Sequence, residues 1–391
     1  MIPHVILLFA AGALGFGLCE YKPTKKKEYL YISIVTVLMC AMIICRGENV
    51  GIDYDWIYRD IFLNINKNVN LGYIFSDANS YRSEPLFVLL NMAIAVVTDS
   101  PMVCFAVIGV LIVVLRTVFI AKYSPKAWIS VFLYVALGFF SYSMCTVRQE
   151  LAISMAMFSL PYLLDRKPIP YFAIILASGL MHNSLLMLIP IYFLVLIPPT
   201  KKWAIGLYSA GMLIVIMFSN DLLKIFTSTF KRFSFYSGDL TGGGVYLIGR
   251  NINTVIFWIV LLVVAAFFYK RLLAKDPKNM MLFNLYLFGT LVMTLTVKNF
   301  IFQRVALMLL PYSLILIAEI FDSLDFRKAP QMSVSKNMTG QKRSELKKKA
   351  DDDKRMYYSI LALFIFIAVM EFYFLMFANR LDLVPYVTFW M

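Results

Sequence analysis

Long apolar runs separated by short polar breaks dominate the hydrophobic pattern of this chain. Most runs approach the roughly 20 residues that a helix needs to cross a bilayer, and none shows the alternation of a membrane β-barrel strand. Twelve such runs occur, at residues 3–19, 29–45, 102–120, 127–145, 151–164, 169–181, 184–198, 203–219, 252–269, 280–297, 303–321 and 357–377. The pattern predicts an all-α polytopic integral membrane protein with about twelve transmembrane helices, in one transmembrane domain over residues 1–391.

Two apolar segments do not fit a simple crossing. Residues 84–97 are apolar but too short to span, so we interpret them as a re-entrant or interfacial helix. The stretch 169–198 is too long for one span and is broken by Met181-His182-Asn183. Because basic pairs lie on both sides of it, we interpret this stretch as a helical hairpin with His182 at its tip.

The basic residues indicate which connections face the cytoplasm. One set of connections holds 24 of the 37 Lys and Arg residues, at 20–28, 121–126, 165–170, 199–202, 270–279 and 322–356. The positive-inside rule makes this set cytoplasmic and both termini extracytoplasmic. The larger external segments are then 46–101, which contains the helix 84–97, 220–251 and 378–391. The loop 322–356 is cytoplasmic, basic and, from its composition, disordered.

Composition excludes a soluble enzyme, because 61% of residues are hydrophobic and only 15% are charged, against about 25% charged in soluble domains. The net charge of +14 does not indicate nucleic-acid binding, since the basic residues lie between apolar runs. The five cysteines show no paired spacing and predict neither a disulfide nor a zinc site. No nucleotide, haem or other cofactor motif is present, and a lipid bilayer is the partner that composition implies.

Several arginines occur near the predicted external surface. Arg148 and Gln149 precede a helical run, Arg232 lies in the segment 220–251, and Arg304 is near the start of its helix. A guanidinium group donates two parallel hydrogen bonds and therefore suits a phosphate, so these residues are candidates for binding a lipid pyrophosphate. Arginines that only extend toward lipid headgroups would give the same pattern.

His182 and the first external loop carry the other candidate groups. His182 could act as a general base or could simply satisfy exposed backbone carbonyls. Asp53 and Asp55 form an Asp-x-Asp pair that is typical of a divalent-cation site, but the same acidic and aromatic loop also suits a saccharide. An interfacial aromatic belt is the structural alternative for its tyrosines. Glu84 precedes Pro85 at the expected start of the short helix.

Taken in order, these segments resemble the EpsG-like family of bacterial polysaccharide polymerases, which are similar in role to Wzy polymerases. The matching pieces are Gly51-x-Asp53-Tyr54 with Tyr58, Glu84-Pro85, Val147-Arg148-Gln149, His182-Asn183-Ser184 and, more weakly, Arg232 with Tyr236, Gln303-Arg304 and Val384-Pro385-Tyr386. The loop 322–356 is longer than the family pattern.

The resemblance implies a reaction and a location. Family members join oligosaccharide units carried on undecaprenyl pyrophosphate at the outer leaflet of the bacterial cytoplasmic (inner) membrane. It implies that Arg148 and Arg304 grip pyrophosphate with help from Arg232, and that His182 or Asp53 is the base. Further substrate-binding residues would be Gln149, Tyr54, Tyr58, Glu84 and Tyr236, with no metal or cofactor required. A chain-length regulator and other polysaccharide-assembly proteins are the expected partners.

Several other functions are alternatives to a polymerase, and composition by itself does not separate a ligase from a polymerase. A ligase that moves finished polymer, a membrane acyltransferase, a flippase for lipid-linked saccharide and a structural scaffold all remain open. A flippase should place ionisable groups near the bilayer midplane, whereas the polar clusters here gather near one surface.

Overall fold

The structure is a computed structural model that describes residues 1–21, 23–229, 252–297, 301–328, 340–379 and 381–389. The helices in chain order are α1 (Ile2–Gly15), α2 (Lys25–Cys45), α3 (Arg59–Asn66), α4 (Pro85–Ala95), α5 (Pro101–Tyr123), α6 (Ala127–Ala136), α7 (Phe139–Tyr142), α8 (Val147–Met157), α9 (Leu160–Leu164), α10 (Pro168–Met181), α11 (Ile191–Leu194), α12 (Lys202–Thr229), α13 (Ile252–Phe267), α14 (Tyr269–Lys275), α15 (Asn279–Thr294), α16 (Ile301–Ala306), α17 (Ser313–Ser323) and α18 (Gly340–Ala378). Wider π turns occupy Phe16–Glu20 and Tyr54–Tyr58, and 3-10 turns occupy Leu71–Phe75, Asn183–Leu188, Leu295–Val297, Leu310–Tyr312 and Phe326–Lys328. Within these ranges no β-strand forms, which confirms the all-α class.

The chain is a multi-pass membrane protein, but it contains fewer full-length spans than the apolar runs predict. In the described residues six helices are long and apolar enough to cross, namely Ile2–Glu20, Lys25–Cys45, Pro101–Tyr123, Asn279–Val297, Phe302–Ser323 and Asp351–Ala378. A seventh is possible if Ile252–Phe267 and Tyr269–Lys275, which meet at 55°, form one bent span. Among the described residues, six or seven helices therefore meet the length and apolarity of a span, fewer than the twelve predicted.

The missing spans are apolar runs that the backbone breaks. The run 127–145 divides into α6 and α7 at Gly138, whose φ of 78° no helix can continue through. The runs 151–164, 169–181 and 184–198 give helices of at most 14 residues, about 21 Å long, against about 30 Å of hydrocarbon. The run 203–219 lies within α12, which is 28 residues long but leaves helical geometry at Phe218, where φ is −108° and ψ is 15°. An apolar run can be covered either by lipid or by the rest of the protein, so counting apolar runs overestimates the number of transmembrane helices.

Contacts between Cα atoms divide the chain into two compact units. The first comprises Met1–Phe158, Ala177–Asn183 and Leu314–Met391, and the second comprises Ser159–Leu176 and Ser184–Ser313. In the second unit, the Asn284 amide donates to the Val195 and Ile197 carbonyls at 2.7 and 2.8 Å. It thereby satisfies acceptors that the end of the short helix α11 leaves open.

One end of the first unit gathers segments from far apart in the chain. The backbones of Arg46 and Thr388 form an isolated antiparallel β-bridge. The Gly47 amide donates to the Val387 carbonyl at 2.7 Å, and the Gly51 amide donates to the Asp382 carbonyl at 2.9 Å. The ring of His4 lies edge-on to Tyr386 at 5.5 Å. We call this the Arg46 end; it joins the loop after α2, the residues after α18 and the start of α1.

The opposite end of the first unit is closed by a cluster of ion pairs. Arg327 contacts Glu20 at 2.9 Å and Asp325 at 2.7 Å, and Lys126 pairs with Asp325. Glu20 also accepts hydrogen bonds from Trp128 at 3.2 Å and from Tyr357 at 3.1 Å. We call this the Arg327 end. It joins three of the connections predicted to be cytoplasmic, whereas the orientation of the protein in the membrane stays a prediction.

Two further expectations from the sequence concern single segments. The short helix expected at 84–97 is α4, Pro85–Ala95; its placement in an external loop stays a prediction. Residues 340–356, expected to be a solvated loop, form the first turns of α18, and residues 329–339 lie outside the described part of the chain.

Candidate active site

Glu84 is the centre of a polar cluster in the first unit. It precedes Pro85, whose fixed φ starts α4, and its backbone carbonyl accepts from Phe87 at 3.1 Å. Its side chain does not cap this helix. The carboxylate instead points to two other segments of the chain, and only 2% of the Glu84 side chain is exposed.

Arg148 lies against one oxygen of this carboxylate. Its Nη1 atom is 3.0 Å from Glu84 Oε2, and its guanidinium group lies 4.7 Å from the Tyr81 ring and 5.6 Å from the Phe87 ring. Burial alone would lower the pKa of Arg148, but the charge of Glu84 and the hydroxyls of Tyr58 and Tyr81 raise it overall. Arg148 is therefore a cation at any physiological pH.

His182 lies against the other carboxylate oxygen. It follows Met181, the last residue of α10, and its Nδ1 atom is 3.0 Å from Glu84 Oε1. The next residue strengthens this junction, because the Asn183 amide donates to the same oxygen at 3.3 Å and its side chain donates to Ser83 Oγ at 2.8 Å. Glu84 thus bridges a guanidinium and an imidazole that are 34 positions apart in sequence.

The exposure of the three groups differs in a way that matters for binding. Arg148 and His182 keep 14% and 15% of their side chains exposed, whereas Glu84 is sealed. In addition, Arg148 Nε has no hydrogen-bond partner among the described residues. The exposed parts of the Arg148 and His182 side chains are open to a ligand, whereas Arg148 Nε and the Glu84 carboxylate stay buried.

Two of the three tyrosines predicted for substrate binding lie next to this cluster. Tyr58 accepts a hydrogen bond from the backbone amide of Arg148 at 3.4 Å, and its ring packs on Phe105 at 5.6 Å. Tyr54 packs on the same ring at 5.4 Å. Both are buried, at 8% and 1% exposed, so they support the site rather than present a flat face to a sugar.

Arg46 is a member of this region that the sequence analysis missed. Its guanidinium group lies 3.7 Å from the Phe105 ring and donates to the Met144 carbonyl at 2.6 Å. Asp53 is also buried. Burial raises the pKa of the nearby Cys145 thiol, the charge of Asp53 raises it further, and the charge of Arg46 lowers it. The sequence could have identified Arg46, because it is a cation directly after α2, where the chain leaves a span.

The remaining predicted residues are not gathered here. Gln149 is buried in α8 beside Arg148, and Arg304 belongs to the second unit. Arg232, Tyr236 and the side chain of Asp55 lie outside the described residues, as does most of the segment 220–251. Among the residues that the structure describes, no group of three His, Cys, Asp or Glu side chains could hold a metal ion.

The arrangement has the parts needed for group transfer from a phosphate leaving group. A partly used guanidinium can stabilise a developing phosphate charge, and an imidazole held at Nδ1 by a carboxylate can accept a proton at Nε2. Neither role needs a metal, since the fixed cation already supplies positive charge.

Comparison with known proteins gives one match. Residues 29–335 match the sequence pattern of the EpsG family. This range runs from α2 to just beyond the Phe326–Lys328 turn and includes Asp53, Glu84, Arg148 and His182. No curated protein and no solved structure matches the chain.

Proposed function

Because the chain belongs to the EpsG family, we propose that it is a membrane glycosyltransferase that polymerises polysaccharide. The donor is a growing glycan on undecaprenyl pyrophosphate, and the acceptor is a hydroxyl of a second lipid-linked oligosaccharide unit. The site faces the outer leaflet of the bacterial cytoplasmic membrane, as the positive-inside rule predicts for the Arg46 end.

The bridge that Glu84 makes between Arg148 and His182 carries this proposal. Arg148 binds the pyrophosphate, because its planar guanidinium group can donate to two phosphate oxygens and the rings of Tyr81 and Phe87 hold the plane of that group. In the absence of substrate, Glu84 supplies the negative charge that a buried guanidinium requires.

The reaction is a single displacement at the anomeric carbon. The acceptor oxygen forms a bond to this carbon, while the bond from the carbon to the pyrophosphate oxygen breaks and its electron pair leaves with the pyrophosphate. Arg148 stabilises the charge that develops on this leaving group. His182 Nε2 takes the proton of the acceptor hydroxyl, and Glu84 stabilises the resulting imidazolium through Nδ1.

Asp53 is the alternative base, but His182 fits the role better. His182 shares Glu84 with Arg148, so base and leaving-group cation are held by one side chain. Asp53 lies instead near Cys145 and Arg46. Arg304, in the second unit, and Arg232, outside the described residues, stay candidates for phosphate binding on the sequence alone.

The Arg327 end favours a polymerase over a flippase. Four ionised side chains and two aromatic donors close this end of the first unit, whereas a flippase must open both ends in turn. A one-sided enzyme needs no opening there. A chain-length regulator remains the expected protein partner.

Deleting the gene and analysing lipid-linked saccharides tests the function directly. A polymerase mutant accumulates single repeat units on the outer leaflet and makes no polymer. Finished polymer that stays on its lipid carrier would indicate a ligase instead, and single units trapped on the inner leaflet would indicate a flippase. Polymer synthesis by the purified protein in EDTA would exclude an Asp53–Asp55 metal site.

A further inference from the structure

A second buried ion pair lies deeper in the first unit and is not used by the proposed reaction. Arg116 is in α5, within the candidate span Pro101–Tyr123, and is completely buried. A lone arginine in a span is costly to insert into hydrocarbon, so it needs a partner. The partner is Glu150 of α8, whose Oε2 atom lies 2.7 Å from Arg116 Nη2.

Arg116 holds α8 at two points rather than one. Besides its pair with Glu150, its Nε atom donates to Ser154 Oγ at 2.8 Å, and that hydroxyl donates to the Glu150 backbone carbonyl at 2.7 Å. Residues 150 and 154 lie one turn apart on the same face of a helix. Two contacts with one guanidinium therefore fix both the rotation and the depth of α8.

Stability alone does not account for this pair. Arg116 Nη1 and Glu150 Oε1 have no hydrogen-bond partners among the described residues, so the pair is incompletely satisfied. Buried ion pairs of this kind can often be replaced by apolar side chains without loss of stability, and their value then lies in specifying one arrangement.

The arrangement that this pair specifies includes Arg148. Arg148 is the second residue of α8 and precedes Glu150 by two positions, about 200° around the helix. A rotation or shift of α8 would move the guanidinium away from Glu84 and from the rings of Tyr81 and Phe87. The amide of Arg148 is also the donor to Tyr58, which would lose that contact.

We propose that Arg116, through Glu150 and Ser154, is a positioning residue that sets the register of α8 and so places Arg148 for the leaving group. The inference rests on the proposed function for its catalytic meaning. Its structural claim, that the pair fixes the position of Arg148 relative to Glu84, can be tested without any activity.

The structural test uses cysteine crosslinking in a chain whose five native cysteines are replaced by alanine. Glu84→Cys and Arg148→Cys are combined, and the crosslinking rate is measured with and without Arg116→Met plus Glu150→Leu. The double replacement removes both charges, so it avoids an uncompensated ion. We expect at least a tenfold slower crosslinking rate at unchanged protein level. An unchanged rate would overturn the proposal.

Two further variants keep this test decisive. Ser154→Ala removes one of the two contacts without leaving a charge, so it replaces the double variant if that protein does not accumulate. We expect its crosslinking rate to lie between the original rate and the rate expected for the double variant. Thr117→Val is the matched control, because among the described residues the Thr117 hydroxyl donates only within α5, to the Val113 carbonyl at 2.9 Å and to the Val114 carbonyl at 3.2 Å. We expect it to crosslink at the original rate; equal rates for Ser154→Ala and Thr117→Val would contradict the two-point contact.

The catalytic test compares kcat and KM for polymerisation. Removing the pair should lower kcat at least tenfold and change KM less, because the Arg148 contact strengthens as the leaving group gains charge. In an Arg148→Lys background the same removal should have less than a twofold effect, since the two changes disrupt one interaction. If removing the pair lowered kcat by the same factor in the Arg148→Lys background as in the original protein, the pair would act on a part of the protein other than Arg148. If the crosslinking result holds and polymerase activity is absent, the proposed function fails and the positioning claim stands.

Discussion

At the scale of single residues, Glu84 contacts both of the groups to which the proposed reaction assigns chemistry, Arg148 and His182. The resemblance to EpsG-like proteins assigned it to the saccharide site, yet its carboxylate is sealed behind Arg148 and His182. In this position the carboxylate balances a cation and orients an imidazole, and its predicted contact with the saccharide stays a prediction. The distance of 3.0 Å to each partner makes Glu84 the residue on which both depend.

Replacing Arg148 by Lys tests the need for a planar fork. The charge remains but the parallel donors are lost, so we expect polymerisation to fall by about 100-fold or more at normal protein level. Arg82→Lys is the matched control, because Arg82 lies in the same loop region as Glu84 and pairs with the exposed Asp77. Activity in the Arg82 variant should be unchanged. Full-length polymer from the Arg148 variant would remove this residue from the mechanism.

Comparing His182→Ala with Asp53→Asn identifies the base. Loss of a general base lowers kcat by about 10²–10⁴-fold, and we expect this loss for His182. Asp53 is buried near Arg46, so its replacement should mainly lower the melting temperature. Both quantities are measured on purified protein in the same detergent. The reverse pattern, with kcat lost only in the Asp53 variant, would assign the base to Asp53.

At the scale of secondary structure, the helices end or break where the site lies, and this lets residues from several segments of the chain meet there. Glu84 follows a loop of successive turns, Arg148 starts a short helix and His182 follows the end of another. An uninterrupted span would place such residues along one helix face instead. The turn at Gly51 is part of the same construction, because Gly51 lies directly against Met144 and Cys145.

Gly51→Ala should disturb this turn more than an ordinary glycine replacement. Gly51 has a φ of 98°, and an added Cβ would lie 2.5 Å from the Met144 backbone carbonyl oxygen, which cannot move aside cheaply. The backbone conformation alone costs about 1–2 kcal/mol. We expect a lower melting temperature and lower activity. Gly206→Ala in α12, where a Cβ meets nothing within 4 Å, is the control and should be neutral or slightly stabilising. Equal melting temperatures would show that the Gly51 turn can relax.

At the scale of the whole molecule, the positive-inside rule and the contacts agree on which connections share an end. The Arg327 end joins Glu20, Lys126 and Arg327, all from segments predicted to be cytoplasmic. The Arg46 end joins segments predicted to be external. Agreement between a charge rule and independent contacts supports the pairing of the loops, and an experiment must assign each end to a side of the membrane.

Labelling with a membrane-impermeant maleimide makes that assignment. Ser83→Cys and Asn183→Cys, which flank Glu84 and His182, should react in intact cells. Lys25→Cys, whose parent side chain is 74% exposed near the Arg327 end, should react only after the membrane is opened. The reversed result would place the site in the cytoplasm and exclude an outer-leaflet polymerase.

The sequence by itself determined the class of the protein and its candidate residues. Few charges and long apolar runs leave only membrane helices, because backbone groups in hydrocarbon must bond within their own segment. The sequence also marked Arg148, His182 and Glu84, because they lie beside apolar runs on the side predicted to be external and belong to the ordered pieces that resemble the EpsG-like family. The number of spans was overestimated, because an apolar run has the same composition whether lipid or protein covers it.

Only the tertiary structure decided which of these residues meet. Glu84 is 64 positions from Arg148 and 98 from His182, and no local pattern encodes contacts over such separations. The same holds for Arg116 and Glu150, whose pairing follows from the way α5 packs on α8. Hydrophobic patterning sets which residues are buried, whereas the packing of helices and the need to neutralise each buried charge set which ones become partners.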